Sequence, residues 1–276
     1  MSNAEAWEAP REPKSWRLEQ VARLPGQCLA LAEVECRKLF RDPTDLLTRS
    51  VQPVLWLVIF GNVFSRLRAV PTGALSYLDF MTPGIAAQGV LFLAIFYGIG
   101  VIWERDFGVT QKLLVSPAPR IALVLGKALS AGIRAIVQAA LIYLLALILG
   151  VHVAWGVRAL LGVAAVIVMG AMTFSTFSLI VACLVKSRER FMGIGQLLTM
   201  PLFFASNAIY PIDLMPGWLK VVAHINPLTY QVDALRALMI RGGRSHFGLR
   251  VDFVVLAGSL ALLTALCSRV YANLVK

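Results

Sequence analysis

The chain has 276 residues, 58% of them hydrophobic and only 15% charged, with a net charge of +11 and a mean hydropathy of +0.75. A soluble domain of this length needs far more charge to cover its surface, so lipid is the solvent for much of the chain. The surplus Lys and Arg fall between apolar runs, the positive-inside pattern of a membrane protein, and no soluble basic domain is left to dock on nucleic acid.

Residues 1–26 are predicted to be disordered or loosely ordered. The first 45 residues are rich in charge and proline and lack the apolar core of a cleavable signal peptide, which places the N-terminus in the cytoplasm. Segment 27–45 reads as an amphipathic helix along the cytoplasmic face. Leu29, Ala32, Cys36, Leu39 and Phe40 recur at helical spacing among Glu33, Glu35, Arg37, Lys38 and Arg41.

Six stretches then approach the length that a spanning helix needs, which predicts an all-α integral membrane protein with a transmembrane domain over 46–276. The first, 46–64, is crowded at its entry by Arg49, Gln52 and Pro53. The second, 80–103, carries Gly84, Gly89, Gly98 and Gly100, which allow close helix packing. In the third, 121–150, Lys127 and Arg134 continue a stripe begun at Arg120, every seven residues. Arg134 reads either as a side chain snorkelling at the boundary or as a buried functional cation. The fourth, 159–185, holds the hydroxyls of Thr173, Ser175, Thr176 and Ser178, suited to bonds between helices or back to their own carbonyls. The fifth, 192–210, carries Gln196, Pro201 and Asn207, and the sixth covers 253–274.

Between the fifth and sixth, 211–250 is too interrupted to span. Pro216 and Gly217 open a short apolar stretch, Asn226-Pro227 breaks it, and a helical pattern resumes with Tyr230, Ala234, Leu235 and Leu238 on one face and Asp233 and Arg236 nearby. Two short helices that lie in or dip into the outer interface fit this pattern, as does an amphipathic surface loop. Orientation follows from counting basic residues. With the N-terminus inside, 16 Lys and Arg are cytoplasmic against eight outside, five of which crowd 211–250. Both termini are then cytoplasmic.

The chain lacks the residue patterns of covalent chemistry. Gly126-Lys127 is followed by Ala128 without the earlier glycine of a P-loop, so phosphate binding of that kind is excluded. His152, His224 and His246 show no metal-binding spacing, no G-x-S-x-G elbow occurs, and Cys28, Cys36, Cys183 and Cys267 form no CxxC pair. No metal or catalytic residue is assigned. Asp79 and Glu104 border the second span while the apolar interiors hold no acid, which argues against a proton-driven pump.

The segment Trp103-Glu104-Arg105-Asp106-Phe107-Gly108, continuing through Lys112-Leu113-Leu114-Val115-Ser116-Pro117, reads as a short polar helix directly after the second span, ended by Pro117 and Pro119. It resembles the E-R-[DE]-x-G…L…[ST]-P signature of ABC-2 type permeases, the membrane subunits of a class of ATP-driven exporters. Arg41-Asp42-Pro43 before the first span and Asn226-Pro227-Leu228-Thr229-Tyr230, followed by Asp233 and Arg236, are similar to that family too. The likeness covers about residues 30–272. Within the family the chain is most similar to daunorubicin-resistance permeases, with nodulation-factor permeases as close relatives. Asp106 stands where Glu is frequent and Gln111 where an acid is frequent.

The resemblance implies a permease without catalysis, partnered by a pair of ABC ATPase subunits that bind ATP and magnesium, and by a second permease as homo- or heterodimer. It implies that Glu104, Arg105, Asp106, Gly108, Lys112, Leu113, Ser116 and Pro117, with Arg37, Lys38 and Arg41, form the surface that couples to the ATPase. It also implies a location in the bacterial cytoplasmic membrane and an outer re-entrant segment containing Asn226, Pro227, Tyr230, Asp233 and Arg236. Arg134, Ser175, Thr176, Gln196 and Asn207 are candidates for a path that suits an amphiphile such as a drug, lipid or glycolipid, and equally for packing contacts between helices. A stand-alone channel or secondary transporter is the alternative function, and a membrane-embedded transferase a third, for which the outer loops offer only scattered Asp213, His224, Asp233 and His246.

Overall fold

The computed structural model describes residues 26, 33, 37, 44–67, 70–73, 75–107, 120–185 and 187–270. These residues are almost entirely helical. Helix α1 (Thr44–Leu55) runs through a π-helical turn (Trp56–Gly61) into α2 (Asn62–Leu67). Helices α3 (Tyr77–Asp106), α4 (Arg120–Ile148), α5 (Val157–Leu184) and α6 (Arg188–Phe204) follow. A single 3-10 turn (Ile212–Leu214), α7 (Gly217–Ile225), α8 (Pro227–Met239) and α9 (Leu249–Val270) complete the order. Helices Tyr77–Asp106, Leu123–Ile148, Val157–Leu184 and Leu249–Val270 are long and apolar enough to cross a membrane. This is a multi-pass membrane protein.

The first and fifth predicted spans take other forms. Pro53 lies inside α1 and deprives it of one backbone donor, and the π turn follows three residues later. The Asn62 amide there donates to the Val58 carbonyl at 2.7 Å. Helix α6 stops at Phe204 rather than 210. Just beyond it the Ser206 hydroxyl donates to the Phe203 carbonyl at 2.7 Å and accepts from the Ala208 amide at 3.3 Å, local bonds that compete with another helical turn. Two helices also exceed prediction. α3 continues without a break through Asp106, so Glu104, Arg105 and Asp106 end the long helix instead of opening a separate one. α9 begins at Leu249, which brings Asp252 inside its first turn.

Ser76 caps α3 by accepting the Asp79 amide at 3.0 Å, and Ser187 caps α6 in the same way. The core is apolar and packed tightly where glycines permit it. A Cβ on Gly84 would lie 2.7 Å from the Ala208 Cα, and one on Gly98 would lie 2.7 Å from the Phe191 ring. Cys183 and Cys267 are free thiols that pack with Val101, Leu123 and Leu179, so both serve as small apolar side chains.

Helix α8 is buried among its neighbours on most of its surface. Leu228, Thr229, Val232, Asp233, Ala234 and Leu235 have no exposed surface, and the helix packs against α3, α5 and α9. Its end is tied to the α4–α5 connection by an isolated bridge between Val153 and Ile240. Two backbone bonds of 2.8 Å flank it, Ala154 to Met239 and Arg241 to His152.

Candidate functional site

Ion pairs and charged side chains gather in two clusters, one around Glu104 and one around Arg236. At one end α3, α4 and the α5–α6 connection converge. Lys127, almost buried, donates to the Glu104 carboxylate. Arg105 donates to the Val185 carbonyl at 3.2 Å, and Arg188 grips the Asp106 Oδ2 through Nε at 3.1 Å and Nη2 at 2.7 Å. The Arg188 guanidinium also stacks 3.8 Å over the Trp103 ring, a cation–π contact. Glu104, Arg105 and Asp106 are therefore engaged inside the chain, holding three helix ends in register. Phe107, which caps α3, is left largely exposed. Arg37 pairs with Glu33 at 2.6 Å, an exposed i,i+4 bridge. Gly108, Lys112, Leu113, Ser116, Pro117, Lys38 and Arg41 lie outside the described residues.

The residues assigned to a path do not meet in one place. Ser175 and Thr176 are fully buried and donate back to the Met172 carbonyl at 3.1 and 2.7 Å. Of the four hydroxyls only Ser178 reaches across to another helix, donating to the Ile95 carbonyl of α3. Gln196 is exposed on α6. Arg134 faces α3 with its guanidinium 5.6 Å from the Tyr97 ring. Asn207 is buried at the far end of the bundle.

That far end assembles the other predicted residues. Asn226 caps α8, accepting the Leu228 amide at 3.0 Å and donating to the Leu202 carbonyl at 2.7 Å, while Pro227 fills the first helical position where a missing N–H costs nothing. The Tyr230 hydroxyl donates to the His224 carbonyl at 2.8 Å. Arg236 is the hub. It donates to the Asn207 carbonyl at 2.6 Å and to the Phe80 carbonyl at 3.4 Å. It also lies 3.8 Å over the Phe80 ring and 3.9 Å from Asp233 Oδ1. Burial pushes its guanidinium down to about 10, with Asp233 pulling the other way, so Arg236 stays charged at neutral pH. Asp233 Oδ2 accepts the Ser245 hydroxyl at 2.9 Å and the Phe247 amide at 3.0 Å.

Sequence reasoning missed several buried polar groups. Asp79 binds the His152 backbone amide at 2.9 Å and its ring at 3.2 Å. Asp252, fully buried in α9, meets the Ser245 hydroxyl at 2.7 Å. Both acids stand in the first turn of a long helix. Gln88 and Gln138 are buried in α3 and α4, and their amide atoms have no hydrogen-bond partner among the described residues. The signal for these two was available: an amide inside an apolar run.

A cavity of about 560 Å³ opens beside Arg236, bounded by the segments that precede α3 and α9. A second, of about 360 Å³, is an apolar groove between α4 and α5.

The sequence matches the family described as ABC-2 type transporter over residues 26–240. It is 29% identical over 203 residues to a putative transport permease, ycf38, of Cyanophora paradoxa, covering 73% of this chain and 70% of that one. The daunorubicin resistance ABC transporter permease protein of Streptomyces coeruleorubidus is 26% identical over 231 residues, covering 84% of this chain and 81% of its own. An inner membrane transport permease of Escherichia coli, YadH, is 23% identical over 218 residues, covering 75% and 82%. Because the matched region takes in α1 to α8 and both polar ends, the chain belongs to the ABC-2 type transporter family.

Proposed function

We propose that this chain is the membrane-spanning permease subunit of an ATP-driven exporter, moving a hydrophobic or amphiphilic substrate outward across the cytoplasmic membrane. The family match over residues 26–240 is the observation that carries the reading. In this reading six helical passes, formed by α1–α2, α3, α4, α5, α6 and α9, cross the bilayer with both termini inside, in keeping with the bias of basic residues. Helices α7 and α8 then form a re-entrant unit at the outer side. ATP is hydrolysed on a separate subunit pair, and this chain supplies no catalytic group.

The ATPase docks at the end built around Glu104. The internal pairs there leave the cluster rigid, and the segment 108–117 with Lys112, together with the N-terminal Arg37, Lys38 and Arg41, supplies the docking surface. Closure of the ATPase pair then presses on the end of α3. A second permease completes the path, since one bundle of this size packs its own interior with glycines and apolar side chains and leaves little room for an amphiphile.

Reconstitution separates this from a self-powered carrier. Vesicles holding the chain with its ATPase are expected to export an amphiphile only when ATP is supplied, and the chain alone is expected to be inactive. Transport by the chain alone, with or without a proton gradient, overturns the proposal.

A further inference from the structure

Ser245, in the segment between α8 and α9, has three partners around one hydroxyl oxygen. The Gly248 amide donates to it at 2.7 Å, and carboxyl oxygens of Asp233 and Asp252 lie 2.9 and 2.7 Å away. A serine hydroxyl has one hydrogen and two lone pairs. The amide takes one lone pair and the hydrogen serves one carboxyl, so the second carboxyl faces the remaining lone pair. Were both acids ionised, that contact would set a lone pair against an anion. One hydrogen shared by both would make two long, bent bonds, whereas 2.7 Å is the usual length of a direct O–H···O bond. One of the two acids therefore carries a proton.

Their surroundings decide which. Asp233 also accepts the Phe247 amide at 3.0 Å and has the Arg236 guanidinium at 3.9 Å, which favours its ionised form. Asp252 is fully buried, and its Oδ1 has no donor among the described residues. A buried carboxylate with one hydrogen bond and no cation is costly, and a proton removes the charge. Other charges on the helices packed against it stand away. On α4, Lys127 bonds to Glu104 and Arg134 lies by Tyr97, while Arg158 of α5 and Arg250 of α9 are exposed. Tyr230 of α8 is a further titratable group close to Asp252. Arg244 and His246 line the cavity on the Asp233 side.

We propose that Asp252 is a neutral carboxylic acid in the folded protein at neutral pH. Its proton is donated to Ser245 Oγ, whose own hydrogen goes to the ionised Asp233. One bound proton thereby latches the start of α9 to α8 through the segment between them. Ser245 lines the cavity of about 560 Å³ beside Arg236, which gives water a route to the bridge. Ionising Asp252 leaves two anions competing for one hydrogen, and the segment 242–248 then comes loose from α8. The latch goes beyond the proposed function: the proton is a structural element of one chain, whichever cargo that chain moves.

The test uses the full chain in nanodiscs with neither ATPase nor substrate, so its result stands apart from that of the transport assay. Infrared spectroscopy in light and heavy water reads the carbonyl stretch of a buried, protonated carboxyl at neutral pH. That band is expected in the parent, shifted when aspartate carries carbon-13 in its side-chain carboxyl, and absent in Asp252→Asn. The labelled parent gives its answer even where the variant does not fold. Hydrogen exchange then follows the Phe247 and Gly248 amides, which Asp233 and Ser245 hold. Their protection factors are expected to fall about tenfold in the parent as alkali removes the band, the effect of one lost charge-assisted hydrogen bond. In Asp252→Asn they stay constant, because the side-chain N–H makes the same donation and does not titrate. No protonated-carboxyl band at neutral pH, a band that survives Asp252→Asn, or an equal loss of protection in both proteins overturns the proposal.

Discussion

Replacing Arg236 by Met is the most demanding test of the far-end architecture. The side chain is nearly isosteric along its stem, but four attachments vanish together, the weakest being the long bond to the Phe80 carbonyl at 3.4 Å. The contact over the Phe80 ring at 3.8 Å is desolvated and contributes about 2 kcal/mol. The bond to the Asn207 carbonyl at 2.6 Å is charge-assisted, and its loss strands a buried acceptor at about 1.5–3 kcal/mol. The attraction to Asp233 at 3.9 Å is about 4 kcal/mol at an effective dielectric of about 20. Against these stands the desolvation of the guanidinium, several kcal/mol, which the substitution releases. The net loss is about 3–4 kcal/mol, in the range for breaking a buried pair by removing one member. Asp233→Asn alone strands the arginine and costs a similar amount. In the double variant neither charge is stranded, so the loss falls short of the sum by about 2 kcal/mol. Thermal midpoints of the four proteins in one detergent give the cycle. Additive losses, or an Arg236→Met protein as stable as the parent, refute the view of Arg236 as the clamp joining α3, α8 and the segment that follows α6.

Two further expectations concern the rest of the bundle. Glu104→Gln is expected to destabilise more than Lys127→Met, since Lys127 is almost buried and loses its one anionic partner among the described residues, whereas Glu104 keeps contact with water; the difference is about 1–2 kcal/mol, read as midpoints in detergent, and equal losses defeat it. Ser178→Ala is expected to cost about 1 kcal/mol by removing a bond that joins two helices, while Ser175→Ala with Thr176→Val costs less, because those hydroxyls bond only within their own helix; a reversed order in the same assay counts against helix-to-helix bonding at Ser178.

Hydropathy made the long helices legible, and local chemistry set their ends. Asn226-Pro227 announced α8 because a cap and a first-turn proline act within one turn of the chain. What periodicity does not carry is the third dimension. Asp233 and Arg236 were visible as a pair near an apolar face, but their burial comes from Phe80 and Asn207, 156 and 29 residues away along the chain. Asp252 escaped notice for a related reason. It stands where a hydropathy window closes, yet its helix runs one turn further, with Ser245 reaching across to receive it. The charged run at 104–106 looked like the start of a new helix, because charge usually marks a boundary. Nothing between Trp103 and Asp106 breaks a helix, however, and partners on α4 and α6 absorb the charges.

These two ends are not independent, because one helix carries both. Phe80, which holds Arg236, and Asp106, which holds Arg188, stand on the same uninterrupted α3, separated by about 39 Å at the usual rise per residue. Pro83 is the one proline in that helix, and it sits in the second turn, so the 23 residues beyond it form an unbroken ladder. Along the way Gly84, Gly89 and Gly98 let neighbouring groups approach the backbone closely, which couples the rod to its surroundings without charged contacts. In the proposed mechanism a push on the Asp106 end is carried to the Phe80 end beside Arg236 by displacement of this one helix. The clamp at Arg236 is where such a displacement is either resisted or passed to α8, and this is why the Arg236–Asp233 cycle bears on function as well as on stability.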